Sequence, residues 1–233
     1  MRGLVVIPAF DEERSIGEVI DRVREHAGGF DILVVDDCSG DQTGAVARRH
    51  GATVVRHPFN LGYGCALQTG YRWALRHGYD LVVQMDGDGQ HDGADVPVVA
   101  RPILEGTADV VYGSRFHEGS TYRMGLLRRI GSRWFAWLVR ILTGVAISDP
   151  TTGFQGLSAR VLELYTTAAF PTDYPDADMI VLLSRRGLRI AEVPVRMHER
   201  PESPSMHSGL RVLYYVYKMT LSILMNALRT ARL

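Results

Sequence analysis

Two aspartates two residues apart, Asp86 and Asp88, each followed by glycine, are the residues of this chain best suited to chemistry. They lie in Met85-Asp86-Gly87-Asp88-Gly89-Gln90-His91-Asp92, directly after the strand-like run Asp80-Leu81-Val82-Val83-Gln84. Oxygen ligands at a strand end suit a hard cation such as Mg²⁺ or Mn²⁺, which binds through one or two carboxylates together with phosphate oxygens. Glycine lets the chain turn sharply and lets a bulky anion come close. Asp86, Asp88 and Gln90 are therefore the candidate meeting place of a metal and a diphosphate; an acidic turn after a strand has the same spacing.

Composition narrows the chemistry. The chain has 233 residues, 46% hydrophobic and 22% charged, which is a folding composition with room for one sizeable core. Its formal net charge is zero, so no polyanionic partner is signalled and none of nucleic-acid type is expected. Lys218 is the only lysine, which argues against a P-loop or Schiff-base lysine. Cys38 and Cys65 have no CxxC neighbour and are expected to be reduced packing residues. Leu4 to Ile7 is too short for a signal peptide and reads as a strand, and no run of about 18 apolar residues exists to span a bilayer.

The elements that must position the acidic motif alternate. Leu4–Ile7, Asp31–Val35, Ala52–Arg56, Leu81–Gln84 and Ala108–Arg115 read as strands, the first two as continuous apolar runs buried on both faces. Between them lie helical patterns, such as Ile16, Val19, Ile20 and Val23 on one face, then Thr43–His50, Cys65–Arg76 and Val96–Glu105. This alternation predicts a mostly parallel sheet covered by helices on both faces, with ligands beyond the carboxyl ends of the strands. Pro8, Asp36, Asp37, Asp86, Asp88 and Arg115 all fall at such ends. Asn60-Leu61-Gly62-Tyr63-Gly64 opens a helix but lacks the third glycine of a dinucleotide fingerprint, and follows the third strand rather than the first.

The second half changes character. From Arg115 to Arg140 there are six arginines and one acid, Glu118. Leu126–Leu142 has helical period, with Arg129, Arg133 and Arg140 on one face and Leu127, Ile130, Trp134, Trp137, Leu138 and Ile141 on the other. A basic, Trp-bearing amphipathic helix suits a membrane interface; a surface helix packed on the core gives the same pattern. Further helices are expected at Arg160–Leu164 and Asp178–Arg186, a last strand at Arg189–Val195 and a loop around Arg200–Ser208. Gly209–Leu233 reads as one helix with four basic residues and no acid, with Arg211, Lys218, Ser222 and Arg229 on one stripe. Such a helix docks on a partner or lies on the bilayer.

Six blocks, in order, resemble family 2 glycosyltransferases of GT-A fold, and within them the polyprenyl-phosphate (dolichyl-phosphate mannose synthase-like) sugar transferases. They are Val6–Glu13, Val34–Thr43, Asn60–Gly64, Met85–His91, Gly113–Arg115 and Asp149–Phe154, spread over residues 3 to 208. The resemblance implies a Rossmann-like, mostly parallel sheet and a catalytic domain over 1–208, with the amphipathic helix over 209–233 left for membrane or partner docking. It implies that Pro8, Phe10, Glu12, Val35 and Asp37, with Asp86, hold the nucleotide of a UDP- or GDP-sugar. Asp86, Asp88 and Gln90 would hold Mg²⁺ or Mn²⁺. Arg115 would sit beside the transferring sugar, Arg128 and Ser132 would bind the acceptor phosphate, and Arg200 would reach the donor diphosphate. The lysine common in the late loop is absent; Met206-His207 stand there.

Guanidinium groups grip phosphate in a fork, and a lipid phosphate is already ionised at pH 7, so direct displacement with inversion needs no base. A hydroxyl acceptor would need one, and Asp178 or Asp176 is then the candidate. The expected setting is the cytoplasmic face of the cell membrane, by peripheral attachment, with a small membrane protein or a second copy of the chain as a further partner.

Overall fold

The computed structural model describes residues 1–116, 126–168, 170–171, 175–198 and 210–228, with side chains from 129 in the fifth helix and over 216–225 in the last. Five strands of the first half stand where the sequence puts them, β1 (Gly3–Ala9), β2 (Phe30–Asp36), β3 (Thr53–Arg56), β4 (Leu81–Gln84) and β5 (Val110–Ser114), and the last strand expected at Arg189–Val195 is β7 (Ile190–Pro194). With β6 (Gln155–Ser158) they form one seven-stranded sheet in the order β3-β2-β1-β4-β6-β5-β7. All pairs are parallel except those of β6, which runs antiparallel to both β4 and β5.

The helices are α1 (Ile16–His26), α2 (Thr43–Arg49), α3 (Tyr63–Arg76), α4 (Val96–Leu104), α5 (Leu126–Thr143), α6 (Ala159–Tyr165), α7 (Ala177–Arg185) and α8 (Leu210–Leu228). They cover both faces. Alternate strand residues supply two cores: Leu4, Val6, Leu33 and Val35 on the side of α3, α6 and α7, and Val5, Ile7, Ile32 and Val34 on the side of α1 and α4. This period-2 division explains why the central strands read as unbroken apolar runs: neither face meets water.

The antiparallel β6 was not anticipated. Gln155-Gly156-Leu157-Ser158 has neither length nor an apolar run, and is a strand because β4 and β5 offer it ladders on both sides. Its direction matters, because the start of β6 lies at the edge where β4 and β5 end. The loop Asp149–Phe154 is thereby delivered beside the acidic motif.

Two helix faces differ from the expected ones. In α5 the buried residues are Ser132, Phe135, Leu138 and Val139, while Ile130, Trp134, Trp137 and Ile141 are exposed beside Arg129, Arg133 and Arg140. The helix has more apolar surface than its packing face can absorb, so the apolar stripe and the arginines share the outer side. In α8, Met219 and Ile223 are buried and Tyr217, Leu221, Leu224 and Met225 are exposed, while Ser222 turns inward to Asp178 instead of joining Lys218 on an outer stripe.

Candidate active site

The site begins at the exits of β1 and β2. Asp11 and Cys38 both hold left-handed backbones, with φ of 56° and 65°. Such residues cost about 1–3 kcal/mol each and persist only where the surroundings fix them. Here side chains lace the two turns together. Asp11 Oδ1 accepts the Gly40 N–H at 2.7 Å, Ser39 Oγ accepts the Asp11 N–H at 3.1 Å and Thr43 Oγ1 accepts the Glu12 N–H at 2.8 Å. Across the same gap the Asp41 carboxylate accepts the Glu13 N–H and the Glu13 carboxylate accepts the Gln42 N–H. Phe10 stands exposed at this edge, while Pro8 is paired with Val35 inside the sheet, where the Val35 side chain belongs to the core.

Asp37 gathers the neighbouring loop. Its carboxylate accepts the N–H groups of Leu61 at 2.9 Å and Gly62 at 2.8 Å, and lies 2.6 Å from His57 Nδ1. Gly62, with φ of 93°, makes the turn into α3 that a residue with a Cβ would resist. The turn delivers Tyr63, whose hydroxyl donates to Asp86 Oδ1 at 2.9 Å. Behind it, Gln84 Nε2 donates to Tyr63 and Tyr71 donates to Gln84 Oε1. Asp86 is therefore aimed by a polar chain running from α3 through β4; Tyr63 lies in the Asn60–Gly64 block, but the sequence pattern assigns no role to it or to Gln84 and Tyr71.

The rest of the acidic loop is equally held. The Asp86 N–H donates to His91 Nδ1 at 3.1 Å, and the His91 ring stacks on Phe154 with centroids 5.0 Å apart. Burial pulls His91 down to about 4, so the ring is neutral at pH 7 and carries its proton on Nε2. Burial pushes the Asp86 carboxyl up, against the Tyr63 hydrogen bond and the charge of Arg115. Asp88 Oδ1 accepts the Gln90 N–H at 2.9 Å, and Ser15 Oγ lies 2.8 Å from the Gly87 carbonyl, tying α1 to the loop. A Cβ on Gly153 would stand 2.9 Å from Asp86 Oδ2, so only glycine lets the 149–154 loop come this close. The Gln90 carbonyl accepts the His198 N–H at 2.8 Å, joining the segment after β7 to the same loop.

Arg115 lies at the β5 exit as anticipated, but it is buried and clamped. Its Nε and Nη2 donate to Asp149 at 2.5 and 2.6 Å, and Nη2 also reaches Thr151 Oγ1 at 3.0 Å. Glu192 in turn accepts the N–H groups of Ser148 and Asp149. Of the remaining residues expected to meet phosphate, Ser132 is buried and its Oγ has no hydrogen-bond partner among the described residues. Only the backbone of Arg128 is described, and Arg200 lies outside the described residues. Asp178 is not a solvent-facing turn residue. It is buried, accepts the Ser222 hydroxyl at 2.6 Å, and is pushed up by burial.

Among the described residues no group of three or more His, Cys, Asp or Glu is placed to hold a metal alone. The oxygen donors of Asp86, Asp88 and Gln90 nevertheless fit a hard divalent ion that takes the remainder of its shell from phosphate and water.

The paired carboxylates thus stand at the strand exits of a mostly parallel α/β sheet, the edge at which such folds bind their ligands. Residues 4–163 match the profile of Glycosyl transferase family 2, and the chain belongs to that family. It is 34% identical over 217 residues to an undecaprenyl-phosphate mannosyltransferase of Micrococcus luteus, covering 90% of this chain and 88% of that one. It is 31% identical over 227 residues to a polyprenol monophosphomannose synthase of Mycolicibacterium smegmatis, covering 94% and 85%. Among solved structures, glucosyl-3-phosphoglycerate synthase of Mycobacterium tuberculosis with Mn²⁺ and UDP-glucose superposes with a TM-score of 0.71. That match has 25% identity and covers 97% of this chain and 78% of the other.

Proposed function

We propose that this glycosyltransferase moves a hexose from a UDP- or GDP-sugar to a polyprenyl phosphate, at the cytoplasmic surface of the cell membrane. The observation that carries the acceptor assignment is the outer face of α5 and α8. Ile130, Trp134, Trp137 and Ile141 are spaced by four, three and four residues, and Tyr217, Leu221 and Leu224 by four and three, all exposed. Trp134 Nε1 reaches Thr220 Oγ1 at 3.3 Å, so the two stripes adjoin. Arginines flank them and neither helix contains an acid, which suits an anionic lipid surface. No helix among the described residues is long and apolar enough to cross a membrane. Residues 1–208 form the catalytic unit in this reading, and 209–233 serve docking.

The donor lies along the laced edge. Phe10, Glu12 and Asp37 contact the nucleotide, and Pro8 and Val35 support them from within the sheet. Asp86, Asp88 and Gln90 would hold Mg²⁺ or Mn²⁺, which when bound offsets the charge of the diphosphate. A phosphate oxygen of the acceptor attacks the anomeric carbon, a C–O bond forms, and the bond to the nucleoside diphosphate breaks with inversion. Arg115, held rigid by Asp149, orients the anions, with Arg128 and Arg200 as further guanidinium contacts. The Ser132 hydroxyl, buried and with no partner among the described residues, supports a place for it on the acceptor phosphate, since orphaned hydroxyls are costly.

A soluble transferase with a hydroxyl acceptor is the second reading, favoured by the fold match to glucosyl-3-phosphoglycerate synthase. The bond from Ser222 to buried Asp178 speaks against Asp178 as its base, leaving Asp176 as that reading's candidate. The test is transfer by the purified chain with Mn²⁺, screening UDP- and GDP-hexoses with a short polyprenyl phosphate. Label in a lipid product, lost in Asp88→Ala, is the expected result; donor turnover without lipid labelling would overturn the acceptor assignment.

A further inference from the structure

His57 stands outside every role described above, yet it touches the residue on which nucleotide recognition turns. It follows β3 and is 7% exposed. Its backbone N–H donates to the Asp36 carbonyl at 2.9 Å, its Nδ1 lies 2.6 Å from Asp37 Oδ1, and its Nε2 lies 2.9 Å from Thr69 Oγ1 on α3. An ionised carboxylate only accepts, so Nδ1 donates to Asp37, and Thr69 Oγ1, which can donate or accept, holds the other ring nitrogen. The ring is thus held in place from both sides.

The Asp37 carboxylate can then be counted. It offers about four acceptor sites. Oδ1 takes His57 and the Leu61 N–H, and Oδ2 takes the Gly62 N–H. Among the described residues, one acceptor site on Oδ2 remains by this count. A lone carboxylate could turn about its two-fold torsion, and the His57 bond selects the orientation that also holds the Leu61–Gly62 turn.

We infer that His57 is a positioning residue for nucleobase recognition, holding Asp37 so that one carboxylate oxygen meets an N–H on the edge of the base. This rests on the reading that Asp37 contacts the base. The ligand chemistry it suits is a base with a ring N–H, as in uracil or guanine; cytosine presents an unprotonated ring nitrogen there and is repelled. Binding is served, not the chemical step.

Calorimetric binding of UDP, GDP and CDP with Mn²⁺ tests this in four variants, each checked for folding by its melting curve. His57→Asn places an amide N–H where Nδ1 stands, and His57→Gln places one where Nε2 stands, out of reach of Asp37. His57→Gln and His57→Leu are expected to weaken binding of the preferred diphosphate roughly tenfold, the scale of one lost charge-assisted hydrogen bond. His57→Asn is expected to stay within about threefold of the parent by the same measure. A structural role alone would not separate Asn from Gln, so equal affinities in those two variants overturn the proposal. Asp37→Asn is the control on the underlying reading. If it binds as the parent does, the base contact itself fails; if it loses binding while His57→Gln does not, the His57 assignment alone fails.

Discussion

The two halves of this molecule are stabilised in different ways. Along the β1–β4 edge the loops are laced by hydrogen bonds from Asp11, Ser39, Asp41 and Thr43, and buried polar groups hold Asp37 and Asp86 from behind. On the α5–α8 side the outer surface is an aliphatic and aromatic stripe beside exposed arginines, with Trp134 and Trp137 stacked 5.1 Å apart in the open. The first region is prepared for a rigid polar ligand whose charges must be met at fixed points. The second offers area without fixed points, which suits a fluid apolar surface. A donor common to many transferases and an acceptor dissolved in a bilayer would call for this division.

The comparison breaks first at the acidic loop. Asp88→Ala is expected to lower transfer about a thousandfold or more, the scale of losing a principal electrostatic contact to the leaving group, while vesicle binding stays unchanged. Residual transfer within tenfold of the parent would remove Asp88 from the site.

Asp149→Ala is next. It leaves the Arg115 guanidinium buried with its main partner gone, which typically costs about 3–5 kcal/mol. Urea unfolding should register that loss. An unchanged midpoint would mean that the buried pair is not what holds the 149–154 loop.

Asp92 tests the seam between the acidic loop and the segment after β7. Burial alone would push it up, but the Ala94 N–H, Arg22 and Arg196 outweigh this and hold it at about 2. A carboxyl depressed in the folded state contributes stability above its unfolded value near 4. That contribution is lost as pH falls through about 2. Asp92→Asn should therefore cost about 2 kcal/mol at pH 7, with the difference shrinking between pH 4 and 2. A pH-independent difference would assign the effect to packing instead.

The smallest expected effect lies on the apolar side. Trp134→Ala with Trp137→Ala should weaken binding to anionic vesicles roughly tenfold, on the scale of the apolar area removed. Transfer to a short, detergent-solubilised polyprenyl phosphate should be unchanged. Equal vesicle binding by parent and double variant would return α5 to the role of an ordinary surface helix.

Much of the laced edge was legible in the sequence, because strand exits can be located from apolar runs and the polar residues beyond them named. Its supports were not. Tyr63 meets Asp86, His57 meets Asp37 and Asp149 meets Arg115 across 23, 20 and 34 residues, and no local pattern encodes such pairs. β6 was invisible because its four residues become a strand only between two others. The apolar side was half legible: the helical period of α5 and α8 was clear, but which apolar residues faced inward depended on neighbours. Trp134 and Trp137 were assigned opposite the arginines, and the fold puts both sets on the outer side.

The most direct test of the account pits a polyprenyl phosphate against the matching polyprenol, with the same labelled nucleotide-sugar, Mn²⁺ and enzyme. The account predicts label in lipid from the phosphate and none from the alcohol. Equal labelling of both, or labelling of the alcohol alone, would contradict it and require a catalytic base that the phosphate reading does without.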